Sequence, residues 1–301
     1  MWFPVPLVAA FGVIAAQPSA TQAAVVTTIF RQGSPVSFEE LVSAAAEADV
    51  VCVGEQHDHA DGHEFELRLL EAVGAKCPRL VLSLEMFERD VQLVLDEYLT
   101  GHVTESAFLA AARPWPRYAT DYRPLVEWCR KNGRPVVAAN VPRRYVNIVS
   151  RHGQSALLRL PKASRTLLPP LPYSMDLSAG YEAALDAVFS SAHGASGSGM
   201  PDSTRMKEAQ ALWDHGMAQS ILKARLKFRA KPVLHVVGSM HCEYGYGIVE
   251  RLRRHARKLR VLVVVVRPIP PAGAPPLDPK LGDFIVVTGS SSEAAGKAPA
   301  G

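Results

Sequence analysis

The sequence predicts an α/β fold: a mainly parallel central sheet flanked by helices, with a helical cap or insertion. Three observations predict it. Short, almost wholly apolar runs recur along the chain at Val50–Val53, Leu80–Leu84, Val136–Ala139, Val233–Val237 and Val261–Val266. Amphipathic stretches of helical period separate them. Several runs end directly on a polar residue. Strands that are apolar at nearly every position, rather than at alternate ones, belong to a sheet covered on both faces.

Each element has a local reason. Ser37-Phe38-Glu39-Glu40 is a capping box that opens a helix to about Ala48. A strand follows over Asp49–Val53. Asp61-Gly62-His63-Glu64 is a similar start signal for a helix to about Val73. Arg79–Leu84 is the next strand, and helices are expected near 88–99 and 104–112. Leu125–Asn132 reads as a helix with Gly133 as its left-handed cap. Pro135–Ala139 is a strand, and Pro142 suits the first turn of a further helix.

Residues 161–200 break the rhythm with Pro161, Pro169, Pro170 and Pro172 and the run Gly194–Gly199. They are expected to form an insertion or lid, with helix around Tyr181–Phe189. A long helix over Thr204–Phe228, a strand over Val233–Val237, a helix over Gly247–His255 and a strand over Val261–Val266 follow. A Pro-rich connector leads to a short strand, Phe284–Val287. The expected organisation is one α/β domain over 24–288 and a disordered tail over 289–301.

Composition sets the bounds. The 301 residues are 48% hydrophobic and 21% charged, which excludes a collagen, a coiled coil and a mostly disordered chain. Lys+Arg is 33 and Asp+Glu is 29, a net charge of +4 without a dense basic run, so no nucleic-acid partner is expected. Trp2–Ala16 is apolar and uncharged, and small residues follow to Thr21-Gln22-Ala23. The stretch is shorter than the roughly 20 apolar residues of a spanning helix. It reads as a secretory signal over 1–23, which sends the mature chain to the periplasm or outside the cell. No cysteine lies near the cut to carry a lipid. Cys52, Cys77, Cys129 and Cys242 have no metal-type spacing, and their pairing stays open; Cys52 is expected as a buried small hydrophobe.

The chemistry sits at the strand ends. Gly54-Glu55-Gln56-His57-Asp58, Glu85, Asn140 and Gly238-Ser239-Met240-His241 each follow a predicted strand. In an open parallel sheet, ligands bind outside the carboxyl ends of the strands, so these groups are expected to converge on one crevice. Glu55, His57, Glu85 and His241 form the candidate set. They suit a divalent metal such as zinc, manganese or iron. Without metal, His57 paired with Glu55 or Glu85 is a general base for water. Glu85, delivered by an apolar strand, needs a partner such as His57, His241 or Arg89. His59 and His63 have the four-residue spacing of a metal pair without the HExxH pattern. Met206, Trp213 and Met217, at helical spacing, read as a core stripe. Tyr118, Tyr244 and Tyr246 lie in loops or at element ends; a tyrosine oxygen is a ligand for ferric haem. Arg143 and Arg144 follow a strand end and suit an acidic group.

In combination, these segments resemble a known family. The run Gly54–Asp58 with His63, Leu84-Glu85-Met86-Phe87 with Gln92, and Tyr98–Gly101 carry the likeness. So do Trp115 and Tyr118, Ala138–Arg143, Gln210–Asp214 with Met217-Ala218, and Gly238–His241. Together they are similar to the ChaN-type haem-binding proteins of the Tiki superfamily over about 50–257. The resemblance implies an α/β fold and haem binding in iron acquisition outside the cytoplasm. The resemblance transfers no haem ligand residue by residue; the candidates for contact with haem are Tyr118, Arg143, Tyr244 and Tyr246 from their positions. A homodimer sharing the haem would add burial to a shallow site, and an outer-membrane receptor is not derivable from the sequence. The superfamily also holds Tiki metallopeptidases and erythromycin esterases. Their catalysis implies a hydrolase of an ester or peptide bond as the alternative, with Glu55, His57, Glu85 and His241 as its catalytic or metal-binding residues. A non-catalytic binding module is the third reading.

Overall fold

A computed structural model describes the backbone of residues 25–195 and 202–290. The expected signal segment lies outside the described residues, as does most of the expected tail. In chain order the elements are β1 (Val25–Arg31), β2 (Ser34–Val36), α1 (Phe38–Glu47), β3 (Val50–Glu55), α2 (Ala60–Lys76), β4 (Val81–Glu88), α3 (Gln92–Leu99), α4 (Glu105–Ala112), α5 (Tyr118–Asp121), α6 (Arg123–Lys131), β5 (Val136–Asn140), α7 (Arg143–His152), α8 (Lys162–Arg165), α9 (Ala179–Ala195), α10 (Ser203–Phe228), β6 (Val233–Gly238), α11 (Ile248–His255), β7 (Val261–Pro268) and β8 (Phe284–Ser290). No helix among the described residues is long and apolar enough to cross a membrane.

The strands form one eight-stranded sheet in the order β2-β1-β8-β7-β3-β6-β4-β5. The pairs from β8 to β5 are all parallel, and only the β1–β2 and β1–β8 pairs are antiparallel. The apolar strands bury both faces, as their uniform composition requires. Val51 and Val53 of β3 pack with α1 and α2 on one face. Their neighbours Val50 and Cys52 pack with α10 and α11 on the other. All four cysteines are free and buried.

The local signals hold at several element ends. Ser37 Oγ accepts the Glu40 N–H at 3.1 Å, as the capping box requires. Gly133 takes a φ of +61° after α6. Elsewhere the structure differs. α2 starts at Ala60 behind His59, and Asp61 lies inside its first turn rather than capping it. The β1–β2 hairpin was not expected; Gln32 and Gly33 both turn with positive φ, which suits a tight two-residue hairpin. β8 runs past Val287, and Gly289 and Ser290 pair with Val26 and Val25. The expected tail therefore begins two residues too early, because its ladder partner lies at the opposite end of the chain.

Within the 161–200 region, α9 is longer than expected and docks on α10. Its Tyr181, Leu185 and Phe189 form a small core to which Met206, Met240 and Tyr246 add. The Pro-rich approach to α9 packs with α7 and the first half of α10.

Candidate functional site

The carboxyl ends of β3, β4, β5 and β6 meet at one edge of the sheet, where α10 borders them. Glu55 is the last residue of β3 and pairs in register with Gly238, the last residue of β6. Glu85 lies one residue beyond Leu84, where β4 stops pairing with β6. Asn140 ends β5, and His241 follows β6 in a short 3-10 turn. Met86, Trp115, Asn140, Arg143 and Trp213 line a crevice of about 540 Å³ with His57, Glu85 and His241. The strand-end set is thus brought together.

Two carboxylate–histidine dyads face this crevice. In the first, Glu55 Oε1 accepts from His57 Nδ1 at 2.6 Å and from the Tyr122 hydroxyl at 2.6 Å. Burial disfavours the Glu55 charge, but the hydrogen bonds from His57 and Tyr122 and the nearby His63 imidazole outweigh it and hold the carboxyl down at about 2. The same Glu55 bond raises His57 above its ordinary value. The His57 side chain is 46% exposed, and with Nδ1 bound to Glu55 its free nitrogen is Nε2. In the second dyad, Asp214 Oδ1 accepts from His241 Nδ1 at 2.6 Å, and Oδ2 accepts from the Tyr181 hydroxyl at 2.8 Å. Burial opposes the His241 charge; Glu85 and Asp214 overcome it and raise its pKa. Glu85 sits between the dyads. Its Oε2 accepts the Gly238 N–H at 2.7 Å, and its Oε1 lies 3.7 Å from His241 Nε2.

The two glycines that open the Gly-x-x-His segments are required by space. A Cβ on Gly238 would lie 2.9 Å from His57 Nε2 and 3.6 Å from Glu85 Oε2. A Cβ on Gly54 would lie 2.7 Å from Cys242 Sγ and 3.0 Å from the Ser239 backbone. Gly238→Ala is therefore expected to swing the half-exposed His57 ring out while leaving the sheet intact. Circular dichroism should be unchanged, with the crevice function lost; wild-type function in this variant would show that His57 does not work from its observed position.

Other expected residues fall elsewhere. Arg89 does not reach Glu85: its guanidinium donates to Ser220 Oγ and Gln219 Oε1, each at 2.9 Å, and to the Gly216 carbonyl. His59 and His63 do not form a pair, because His59 Nε2 bonds the Thr288 carbonyl at 3.0 Å while His63 turns towards Glu55 and Glu66. Tyr118 is buried between Phe87 and Phe108, away from the crevice, and burial pushes its hydroxyl pKa up. Tyr246 stacks on Tyr181 with centroids 5.6 Å apart, outside the crevice lining. Tyr244 is exposed in a left-handed conformation, with its N–H on the Leu281 carbonyl at 2.8 Å. Arg143 is at the crevice rim, and Arg144 pairs with Asp90 at 2.7 Å. Of the helical stripe, Met217 is core, whereas Trp213 lines the crevice.

Sequence reasoning assigned no role to Asp214, Gln210 or Tyr181. A signal existed for two of them. Gln210 and Asp214 are four apart on α10, so they share a face, and two buried polar residues on an otherwise apolar face need partners. The Gln210 amide lies 3.0 Å from His241 Nδ1 and 3.3 Å from the Tyr181 hydroxyl.

Known proteins share this architecture. The solved structure titled cofacial heme binding to ChaN of Campylobacter jejuni superposes with a TM-score of 0.67 at 18% identity, covering 88% of this chain and 97% of that one. An erythromycin esterase, EreC, covers 89% of this chain and 83% of its own, but at a TM-score of 0.45 and 13% identity the likeness is too weak to argue from. In sequence, 249 residues are 27% identical to Protein RETICULATA-RELATED 5, chloroplastic, of Arabidopsis thaliana. That match covers 77% of this chain and spans about a third of the plant protein, 32%. The profile of the family described as haem-binding uptake, Tiki superfamily, ChaN matches residues 41–252. With that profile covering most of the folded chain, on a fold shared with ChaN, this protein belongs to the ChaN haem-binding uptake family of the Tiki superfamily.

Proposed function

We propose that the chain is an exported haem-binding protein that serves haem or iron acquisition. The observation that carries this reading is the crevice itself, about 540 Å³ and flanked by the indoles of Trp115 and Trp213. A flat apolar macrocycle suits such walls. Glu55 occupies His57 Nδ1, so Nε2 is the nitrogen left for iron. A carboxylate behind an imidazole ligand fixes its tautomer and raises its basicity. Arg143 at the rim makes no side-chain ion pair among the described residues and suits a propionate. The apolar stretch before Ala23 supports export.

Hemin titrated into the chain starting at Ala24 is expected to give a saturable Soret shift at one haem per chain. His57→Ala should abolish it, and Glu55→Gln should weaken binding roughly 10–100-fold. One haem per two chains, lost with Tyr244→Phe, would place the haem between two copies at the exposed Tyr244 instead. Absence of a saturable shift would overturn haem binding altogether.

The two dyads favour a second reading, a hydrolase of esters or peptides. His57 would take a proton from water, whose oxygen bonds to the carbonyl carbon. His241, as imidazolium, would then protonate the leaving oxygen or nitrogen as its bond to that carbon breaks. Glu85 would orient the water between them. In an ester and peptide screen, His57→Ala and Glu85→Gln should each cut turnover by roughly 10²–10⁴-fold with an unchanged fold. Turnover that survives both changes would dismiss this reading.

A further inference from the structure

Behind Glu55, away from the crevice, lies a second polar cluster that neither reading uses. His63 and Glu66 are one turn apart on α2, and Asp121 ends α5. All three are buried, as is Glu55. Both ring nitrogens of His63 face oxygen acceptors. Nε2 faces acceptors, the His57 carbonyl at 3.3 Å and Asp121 Oδ2 at 3.5 Å, so this nitrogen carries a proton. Nδ1 faces two carboxylates, Glu66 Oε2 at 3.2 Å and Glu55 Oε2 at 3.5 Å.

These separations suit a bound cation. Ligand atoms held about 2.1 Å from a tetrahedral metal lie roughly 3.4 Å from one another. One donor atom from each of Glu55, His63 and Glu66 falls within 4.8 Å of the others. Glu55 Oε2 and Glu66 Oε1 are buried without a hydrogen-bond donor, and such oxygens are costly unless something positive reaches them. Asp121 completes the pattern from outside: metal-bound histidines commonly give their other N–H to a carboxylate or carbonyl. Asp121 is itself held by Arg117 Nε at 2.8 Å.

We propose that Glu55, His63 and Glu66 form a buried site for one divalent transition metal. Two carboxylates and an imidazole, with no thiolate, suit zinc, manganese or ferrous iron. The site shares Glu55 with the crevice set: Oε1 holds His57 and Oε2 faces the cation. Metal here would lock Glu55 and so fix the His57 ring. The proposal stands whether the crevice holds haem or hydrolyses a substrate.

The cluster is closed, so the chain should be unfolded with chelator, freed of it, and refolded with one equivalent of Zn²⁺, Mn²⁺ or Fe²⁺. Bound metal is then counted after gel filtration. The His57→Ala/His241→Ala variant, whose crevice set is dismantled, is expected to keep one ion per chain and to melt higher with it. Glu66→Gln and His63→Gln are expected to keep almost none. An empty wild-type chain, a Glu66→Gln chain that holds the ion as well as wild type, or a loss that follows His57 and His241 would each overturn the site. Should the α2 variants misfold, X-ray absorption on the refolded His57→Ala/His241→Ala chain decides. One imidazole with oxygen ligands upholds the assignment; two imidazoles, a thiolate, or no ion refutes it.

Discussion

Asp214→Asn is expected to disable the crevice while preserving the fold. Asp214 is fully buried, and its two oxygens serve different donors, His241 Nδ1 and the Tyr181 hydroxyl. An amide in its place can keep one of these bonds as an acceptor, but presents N–H where the other donor points. It also removes the negative charge that helps hold His241 in its charged form. A buried hydrogen bond to a charged group is worth about 1.5–3 kcal/mol, so a loss of about 2 kcal/mol is expected. At ~2–4 °C per kcal/mol for a chain of this size, melting should fall by roughly 4–8 °C. Turnover should drop much further than that stability loss accounts for, because the His241 ring, the acid of the hydrolytic reading, loses its orientation. Asp214→Ala, which strands the imidazole, should cost about 3–5 kcal/mol. If Asp214→Asn matches wild type in both melting and crevice function, the second dyad is not functional.

Acid should destabilise the fold through a residue outside the site. His235 is fully buried in β6, with Nδ1 on Ser83 Oγ at 3.0 Å and Nε2 without a partner. Burial holds its pKa down at about 3, against an unfolded value of 6.5. The folded chain therefore keeps His235 neutral in a range where the unfolded chain binds a proton. Stability from this residue is complete above pH 6.5 and is lost as pH falls from 6.5 towards 3. The slope is about 1.4 kcal/mol per pH unit, on the order of 4 kcal/mol by pH 3.5. Other groups titrate in the same window, so the contribution is read as a difference. His235→Val should melt with a flatter acid dependence than wild type, the gap widening below pH 6. Parallel profiles for the two chains would show that His235 charges within the fold at little cost.

Much of the sheet was legible in the sequence because its causes are local. A run such as Val50–Val53 has to be buried on both faces wherever it lies, and Gly54 lets Ser239 and Cys242 close against the end of that strand. The meeting of Glu55, His57, Glu85 and His241 followed from one rule about parallel sheets: His57, Glu85 and His241 line the crevice, and Glu55 stands behind His57. The edge of the sheet was not legible. β1 is stabilised by β8, more than 250 residues away, so neither Val25–Arg31 nor the full length of β8 had a signature of its own. The tyrosines misled for a related reason. Tyr118 and Tyr122 lie one turn apart, yet one ring fills the core with Phe108 and the other hydrogen-bonds Glu55.

The sequence by itself determined the α/β class, the six strands from β3 to β8 and the acids and histidines at the ends of the parallel ones. Periodicity and glycine placement act over a few residues, and burial must satisfy them in any packing. Only the tertiary structure decided which carboxylate holds which imidazole. Asp214 from α10 takes His241, and Tyr122 from beyond α5 joins His57 on Glu55. Those choices depend on how separate helices dock over the sheet edge. A hydrogen bond between residues tens of positions apart leaves no pattern in either segment until packing places their atoms within 3 Å or so of each other.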